Sequence, residues 1–499
     1  MRWLPWIGAA IVAVLVFVLV RPSSDDESPT ATTTAGGQAT PNEGCDQRQV
    51  AVSDYGPCET EPFSGDNGGA TADGVTEDTI TVSFRLGNSG QFAALDALAG
   101  DAAASLGSDQ DAVVEDIEAL VAYFNDEFEL YGRQVEVEAF EGQGDFLAEF
   151  QSQDVQGAQA DAARATDLGA FADISFTTMT QPYAEALSAA EVIAMSPVYL
   201  SADWYADREP YAFGASWPLG TQVAEFAGNA VCEALVGQPA EHADADLASS
   251  ERTFGLLAPE NPEYAKMADA FEAALEGCGE SVTRRLSFAL DVAALQSEAT
   301  NAVAQIQDAG VTTIVCLCDE FSPLFLTGAA AAQSYGPEWL MLRWPDPWGR
   351  LTVSDVFARS MHLGGMTPVF DDSEIGAVVD AATGGASAAS PASIDAVYKQ
   401  LFMLFSGIQA AGRELTPDSF QSGVFSLPST EDGVFGPWEF GEGVFNPNTS
   451  FQLGWWSGDL ASNLDGVAGS VQDCGSGGWY RFDDVAGLAA DGPSAGCFG

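Results

Sequence analysis

From Thr79 onward, short runs of β-branched and apolar residues alternate with longer alanine-rich stretches. Thr79–Arg85, Gln134–Ala139, Asp173–Phe176 and Val192–Met195 read as strands, and Asp111–Phe128 and Gln156–Leu168 between them carry helical spacing. A second series begins at Arg252: strand 253–258, helix 262–277, strand 282–288, helix 291–309, strand 311–316, helix 323–334 and strand 339–343. Strands that alternate with helices predict parallel sheets. The expected fold class is α/β, with two Rossmann-like lobes joined through Tyr211–Pro218 and a ligand cleft between them.

The most telling unit lies in the second series. Val311 to Val315 reads as a buried strand, and Asp319, Glu320 and Ser322 follow where it ends. Pro323 suits the first turn of a helix that Gly336 and Pro337 stop. In open α/β sheets ligands bind beyond the carboxyl ends of strands, so Asp319 and Glu320 are placed at a ligand crevice.

This unit resembles one in the type I periplasmic binding proteins, the branched-chain amino-acid receptor group of ABC-transporter substrate-binding proteins. Other segments resemble the same family in the same order: Gly74 to Val82 its opening strand, Tyr123 to Val137 its first helix-to-strand join, Arg252 to Tyr264 the start of its second lobe, and Val303 to Gly310 the helix before the strand just described. Ile394–Ala411, with the segment to Leu427, is similar to the family's return into the first lobe, and Gly433 to Trp456 to its final crossing. The resemblance implies a hinged architecture, with a first lobe of residues 74–214 and 367–427 and a second of 215–366 and 428–470. Residues 471–499 are left as a C-terminal tail.

The family holds a ligand's polar head with hydroxyls and backbone amides of the first lobe and closes the second lobe over it. Carried onto this chain, that assigns Asn88 and Ser89 to the pocket rim, Thr178 and Thr180 to the loop before a helix, and Ser196 to the end of a strand. Thr177, Thr178 and Thr180 read equally well as N-caps of that helix. From the second lobe come Asn261 and Tyr264, where relatives often place an aromatic lid, and then Asp319 and Glu320. A carboxylate there suits an amino or guanidinium group, and it also reads as a solvated acidic turn. Where relatives often have a small glycine-rich turn, this chain has Trp344, Asp346 and Trp348, aromatics fit either to stack on a flat or cationic ligand or to pack the lobe.

Composition changes the picture in two ways. Of 499 residues 46% are hydrophobic and 10% aromatic, ample for more than one core. Seventeen basic residues face 73 acidic ones for a net charge of −56, and Lys266 and Lys399 are the only lysines. Such a surface repels nucleic acid and anionic lipid, and it reads as an acidic coat suited to a salty or alkaline exterior.

The uncharged run from Trp3 to Val20 is at the short limit for a spanning helix, about 17–25 residues. Residues 1–21 are thus read as a retained anchor, or a signal segment cleaved near Ala35, and 22–73 as a flexible linker. Either way the rest is exported. Eight cysteines fit that compartment. Disulfides are expected for Cys45 with Cys58, Cys232 with Cys278, and Cys474 with Cys497. Cys316 and Cys318, spaced i and i+2 on a strand, are expected to be buried thiols.

Catalysis is poorly supported. His242, in an acidic loop and read as solvent-exposed, and His362 are the only histidines. The chain has no G-x-S-x-G elbow, P-loop or H-E-x-x-H motif. No metal or cofactor is expected. The reading is an extracytoplasmic solute-binding protein, tethered by its N-terminal helix. It closes around a small polar ligand such as an amino acid or amide, and the resemblance implies an ABC permease as partner. The alternatives are a ligand-sensing ectodomain acting through a signalling partner and, less well supported, an extracellular hydrolase.

Overall fold

The computed structural model of the chain describes residues 63–87, 109–150, 152–195, 199–289, 294–319, 322–342, 349–350, 360–363, 372–389, 394–429, 437–462, 466–474 and 479–484. Two sheets organise them. The first comprises β1 (Thr79–Leu86), β2 (Gln134–Glu141), β3 (Ala172–Asp173), β4 (Ile193–Met195) and β5 (Ala212–Phe213), all parallel, in the order β2-β1-β3-β4-β5. This doubly wound order reverses between β1 and β3, and such a switch point opens a crevice at the carboxyl ends of the strands.

The second sheet comprises β6 (Phe254–Pro259), β7 (Val282–Phe288), β8 (Thr313–Cys316), β9 (Glu338–Leu342), β10 (Ser360–Leu363), β11 (Ser450–Ala461), β12 (Ala468–Asp473) and β13 (Trp479–Arg481). Its order is β12-β11-β10-β9-β8-β6-β7, with β13 also paired to β11. β6 to β10 are parallel, whereas β11, β12 and β13 add an antiparallel extension. β13 lies within the residues left as a C-terminal tail.

One apolar cluster surrounds the first sheet, and two others lie on the second. The helix Gln110–Glu127 buries Val113, Ile117, Leu120, Val121 and Phe124, a stripe at helical period. Phe124 meets the rings of Tyr398 and Phe405 on the helix Ile394–Ala411. That second helix is buried nearly all round, which its apolar sequence dictates. It therefore also buries polar groups that need partners: Gln400 donates to Met195 O at 3.0 Å, Gln409 accepts from Glu129 N at 2.8 Å, and Lys399 donates to Asn448 Oδ1 at 2.7 Å.

Among the described residues, two chain crossings join the sheets side by side. Gly214 N donates to Phe445 O at 2.8 Å, Asn446 Nδ2 to Trp217 O at 2.6 Å, and Asn448 Nδ2 to Ala215 O at 3.0 Å. A Cβ on Gly214 would collide with the Asn446 amide, so the approach requires glycine.

Cys232 and Cys278 form the expected disulfide, clipping the helix Gly220–Ala234 to the end of the helix Pro262–Gly277. Its 46-residue separation places its stabilisation at about 2–4 kcal/mol. The Cys232→Ser/Cys278→Ser double variant should shift the urea midpoint accordingly, and an unmoved midpoint would refute the estimate. Cys474 is also disulfide-bonded, to a partner outside the described residues, where Cys45, Cys58 and Cys497 lie as well.

Two expectations fail here. Cys316 and Cys318 are joined to each other. β8 ends at Cys316, and the chain then curls so that the two Cα atoms stand 5.1 Å apart, closer than the roughly 6.6 Å of an extended pair. His242 is half-buried, its ring 4.5 Å from that of Trp455 on β11, and its backbone N–H donates to Glu338 at 3.0 Å.

Candidate functional site

The carboxyl ends of the two sheets meet. Asn261, just past β6, donates from Nδ2 to Gln181 Oε1 at 3.0 Å; Gln181 opens the helix Gln181–Ala189 that follows β3. Ser201, beyond β4, donates its backbone N–H to Glu263 Oε2 at 2.8 Å, and Lys266 Nζ reaches both Glu263 at 2.7 Å and Ser201 Oγ at 2.9 Å. One rim thus carries two bridges between elements of different sheets.

Behind the first-sheet rim lies a buried polar network centred on Arg85, the penultimate residue of β1. Its guanidinium pairs with Glu149 in a two-pronged contact at 2.9 and 3.0 Å and with Asp161 at 3.1 Å, donates to the oxygens of Thr178, and lies 3.8 Å over the Tyr183 ring. Asp161 also accepts from Gln143 N and Gly144 N at 2.7 and 3.0 Å. Asp173 accepts from Ser83 at 2.6 Å, Tyr183 at 2.8 Å and Ser175 N at 2.9 Å.

The electrostatics follow from burial. Desolvation opposes charge on Arg85, but Glu149 and the other anionic neighbours outweigh it and raise its pKa above the ordinary value. Burial pushes the Asp173 carboxyl up, a shift its hydrogen bonds from Ser175, Ser83 and Tyr183 only partly offset. The Tyr183 hydroxyl is held well above its usual range, first by burial and then by Asp173.

Five residues expected from sequence lie at these strand ends. Thr178 is buried and donates its hydroxyl to Arg85 O at 2.8 Å. Thr180 is buried, caps the helix Gln181–Ala189 by accepting from Tyr183 N at 3.3 Å, and gives its proton to Glu149. Asn261 caps the helix Pro262–Gly277 through Glu263 N and Tyr264 N. Tyr264, half-buried, packs against the second-sheet core. Asp319 is buried past β8 and accepts from Ser322 N at 3.0 Å and from the Ser322 hydroxyl. Asn88, Ser89, Ser196, Glu320, Trp344, Asp346 and Trp348 lie outside the described residues.

Sequence reasoning missed Arg85, Glu149, Asp161, Asp173, Gln181, Glu263 and Lys266. Arg85 had no signal: Ile80, Val82, Phe84 and Leu86 alternate with Thr81, Ser83 and Arg85, so the arginine falls on the polar phase of the strand, where an outward-facing cation is ordinary. The carboxylates had none among 73 acids.

No protein-family model matches the chain, nor does any curated protein. Solved structures do match. The leucine-, isoleucine-, valine-, threonine- and alanine-binding protein from Brucella ovis, in a closed conformation, superposes with a TM-score of 0.56 at 13% identity, over 81% of this chain and 96% of that one. This is the type I periplasmic binding protein fold. A fatty acid ABC transporter substrate-binding protein from Thermomonospora curvata shares it, with a TM-score of 0.55 at 13% identity, over 83% and 95% of the two chains. So does an R. palustris solute-binding protein in complex with 4-hydroxybenzoate, with a TM-score of 0.54 at 15% identity, over 83% and 100%. At these identities the likeness is one of fold.

Proposed function

We propose that the chain is an extracytoplasmic solute-binding protein that closes two lobes around a small polar ligand, of the amino acid or amide class, and delivers it to an ABC-type importer. The lobes of this reading are residues 74–214 with 367–427 and 215–366 with 428–470. The observation that carries it is the meeting of carboxyl-terminal strand ends from two sheets at the Asn261–Gln181 and Ser201–Glu263–Lys266 bridges. A crevice bounded by two doubly wound layers is where α/β proteins take up ligands. Among the expected ligand residues, Asn261 and Tyr264 stand at that rim, Thr178 and Thr180 belong to the Arg85 network behind it, and Asp319 lies past β8.

The crossings held by Asn446 and Asn448 are the proposed hinge, and ligand binding biases it toward closure. Disulfides suit an oxidising exterior, and the apolar run Trp3–Val20 is the proposed membrane tether. No chemistry on the solute belongs to this reading.

A thermal-shift screen of the full chain against amino acids, amides, polyamines and small peptides tests it. A ligand present at a hundred times its Kd should add about 2.7 kcal/mol to the unfolding free energy and raise Tm visibly. Silence across the library from folded protein would overturn the proposal.

A further inference from the structure

We propose that Tyr199–Ser201, between β4 and β5, is a strap that latches the two lobes to each other before any solute arrives. Solute then enters by way of an unlatched form. This rests on the solute-binding reading and adds a gate to it.

The strap is anchored in the first lobe. Ser201 caps the short helix Ala202–Ala206 by accepting from Trp204 N at 3.3 Å. Glu185, on the helix Gln181–Ala189, accepts from Trp204 Nε1 at 3.1 Å and from Arg208 at 3.0 Å. The Arg208 guanidinium lies 4.2 Å over the Trp204 ring.

From that anchor the strap reaches the second lobe. Leu200 belongs to the apolar cluster around the first sheet, whereas its neighbour Tyr199 belongs to one on the second. The Tyr199 ring is buried there, 5.3 Å from that of Trp217. Leu200 O accepts from Gly220 N at 3.3 Å, where the helix Gly220–Ala234 begins. Ser201 N donates to Glu263 at 2.8 Å and Ser201 Oγ accepts from Lys266 at 2.9 Å, both on the first turns of the helix Pro262–Gly277. The N-terminal ends of two second-lobe helices therefore form the seat.

The seat is built closely around this segment. Tyr199 has φ of 52°, a left-handed backbone that residues with a side chain rarely adopt and that persists where the surroundings enforce it. Gly220 makes room for the strap: a Cβ there would stand 2.5 Å from Tyr199 O and 2.8 Å from Met267 Sδ. Parting the lobes here breaks the bonds from Gly220, Ser201 and Lys266 and uncovers the Tyr199 ring, so the strap opposes opening. Solute reaches the crevice only through the unlatched fraction, and the same strap then slows its escape.

Amide hydrogen exchange of the full chain without added solute reads the latch, because Ser201 N–H donates across it. In the parent this amide should exchange on the order of a hundredfold more slowly than a free one. Gly220→Ala forces the strap off its seat. Lys266→Met removes one bond through a side chain that is 43% exposed, a milder change for the fold. Each variant should speed exchange at Ser201 about tenfold or more while amides of β1 and β6 keep their protection, a pattern that general destabilisation does not give. A parent whose Ser201 amide exchanges as if free would overturn the strap, and a hit in the thermal-shift screen would then leave solute binding standing. Loss of protection in β1 and β6 in step with Ser201, or unchanged protection at Ser201 in both variants, would overturn it as well. Silence across the screen would overturn solute binding and the strap's role as its gate, whatever the exchange shows.

Discussion

Replacing Arg85 with alanine should cost about 3–5 kcal/mol of unfolding free energy, the largest loss expected of any single change at the first sheet. The reason is what the substitution leaves behind. Glu149 and Asp161 are both buried, and without the guanidinium they face each other's charge in a region with no bulk water. The aromatic contact with Tyr183 and the bonds that fix the Thr178 segment disappear as well. Urea denaturation of Arg85→Ala beside the parent chain measures the loss directly. A second variant separates charge from packing: Arg85→Met with Glu149→Gln and Asp161→Asn removes all three charges and should recover much of the stability, because replacing a whole buried ionic group is far milder than breaking it. If Arg85→Ala unfolds at the parent's midpoint, the network has no structural weight.

The same residue shows how much was legible in the sequence. Order and type of elements were readable because alternating strand and helix periods are strong signals, and the strand ends they predict do carry Asn261, Tyr264 and Asp319. The end of β3 was not readable. A strand was expected through Phe176, but Asp173 accepts from Ser175 N, and that local turn ends the pairing at Asp173. The roles of Thr178 and Thr180 depend on Arg85 and Glu149, 93 and 31 residues away, a pairing that no local pattern encodes. The Cys316–Cys318 bond and the His242–Trp455 contact have the same character, one set by a curl after the strand and the other by β11 arriving from far along the chain. What the sequence did mark was one oddity, a cation in the apolar helix at Lys399.

Lys399→Met should change the pH dependence of stability with a sign that can be worked out in advance. Burial drives the Lys399 amine well below its ordinary value near 10.5, against the opposing pull of Asp395. The unfolded chain therefore binds this proton at pH values where the folded chain has released it. In that window stability rises with pH, by about 1.4 kcal/mol per unit for one proton. It is fully present above 10.5 and lost as pH falls toward the depressed folded value. Methionine carries no proton, so the variant gains on the parent as pH falls through the same window. At the alkaline end the order reverses, because the variant leaves Asn448 Oδ1 without the Lys399 bond, a loss of about 1–3 kcal/mol. Asp173 contributes the opposite slope in the acid range, where its raised pKa keeps a proton in the folded chain that the unfolded one has lost, and the difference between variant and parent cancels it. Urea titrations of both proteins at several pH values up to about 10.5 give that difference. A flat difference would mean that Lys399 stays charged in the fold. A sloped one would put an amine that has shed its proton against the Asn448 crossing, so that the segment joining the two sheets is held by a neutral hydrogen bond rather than by charge.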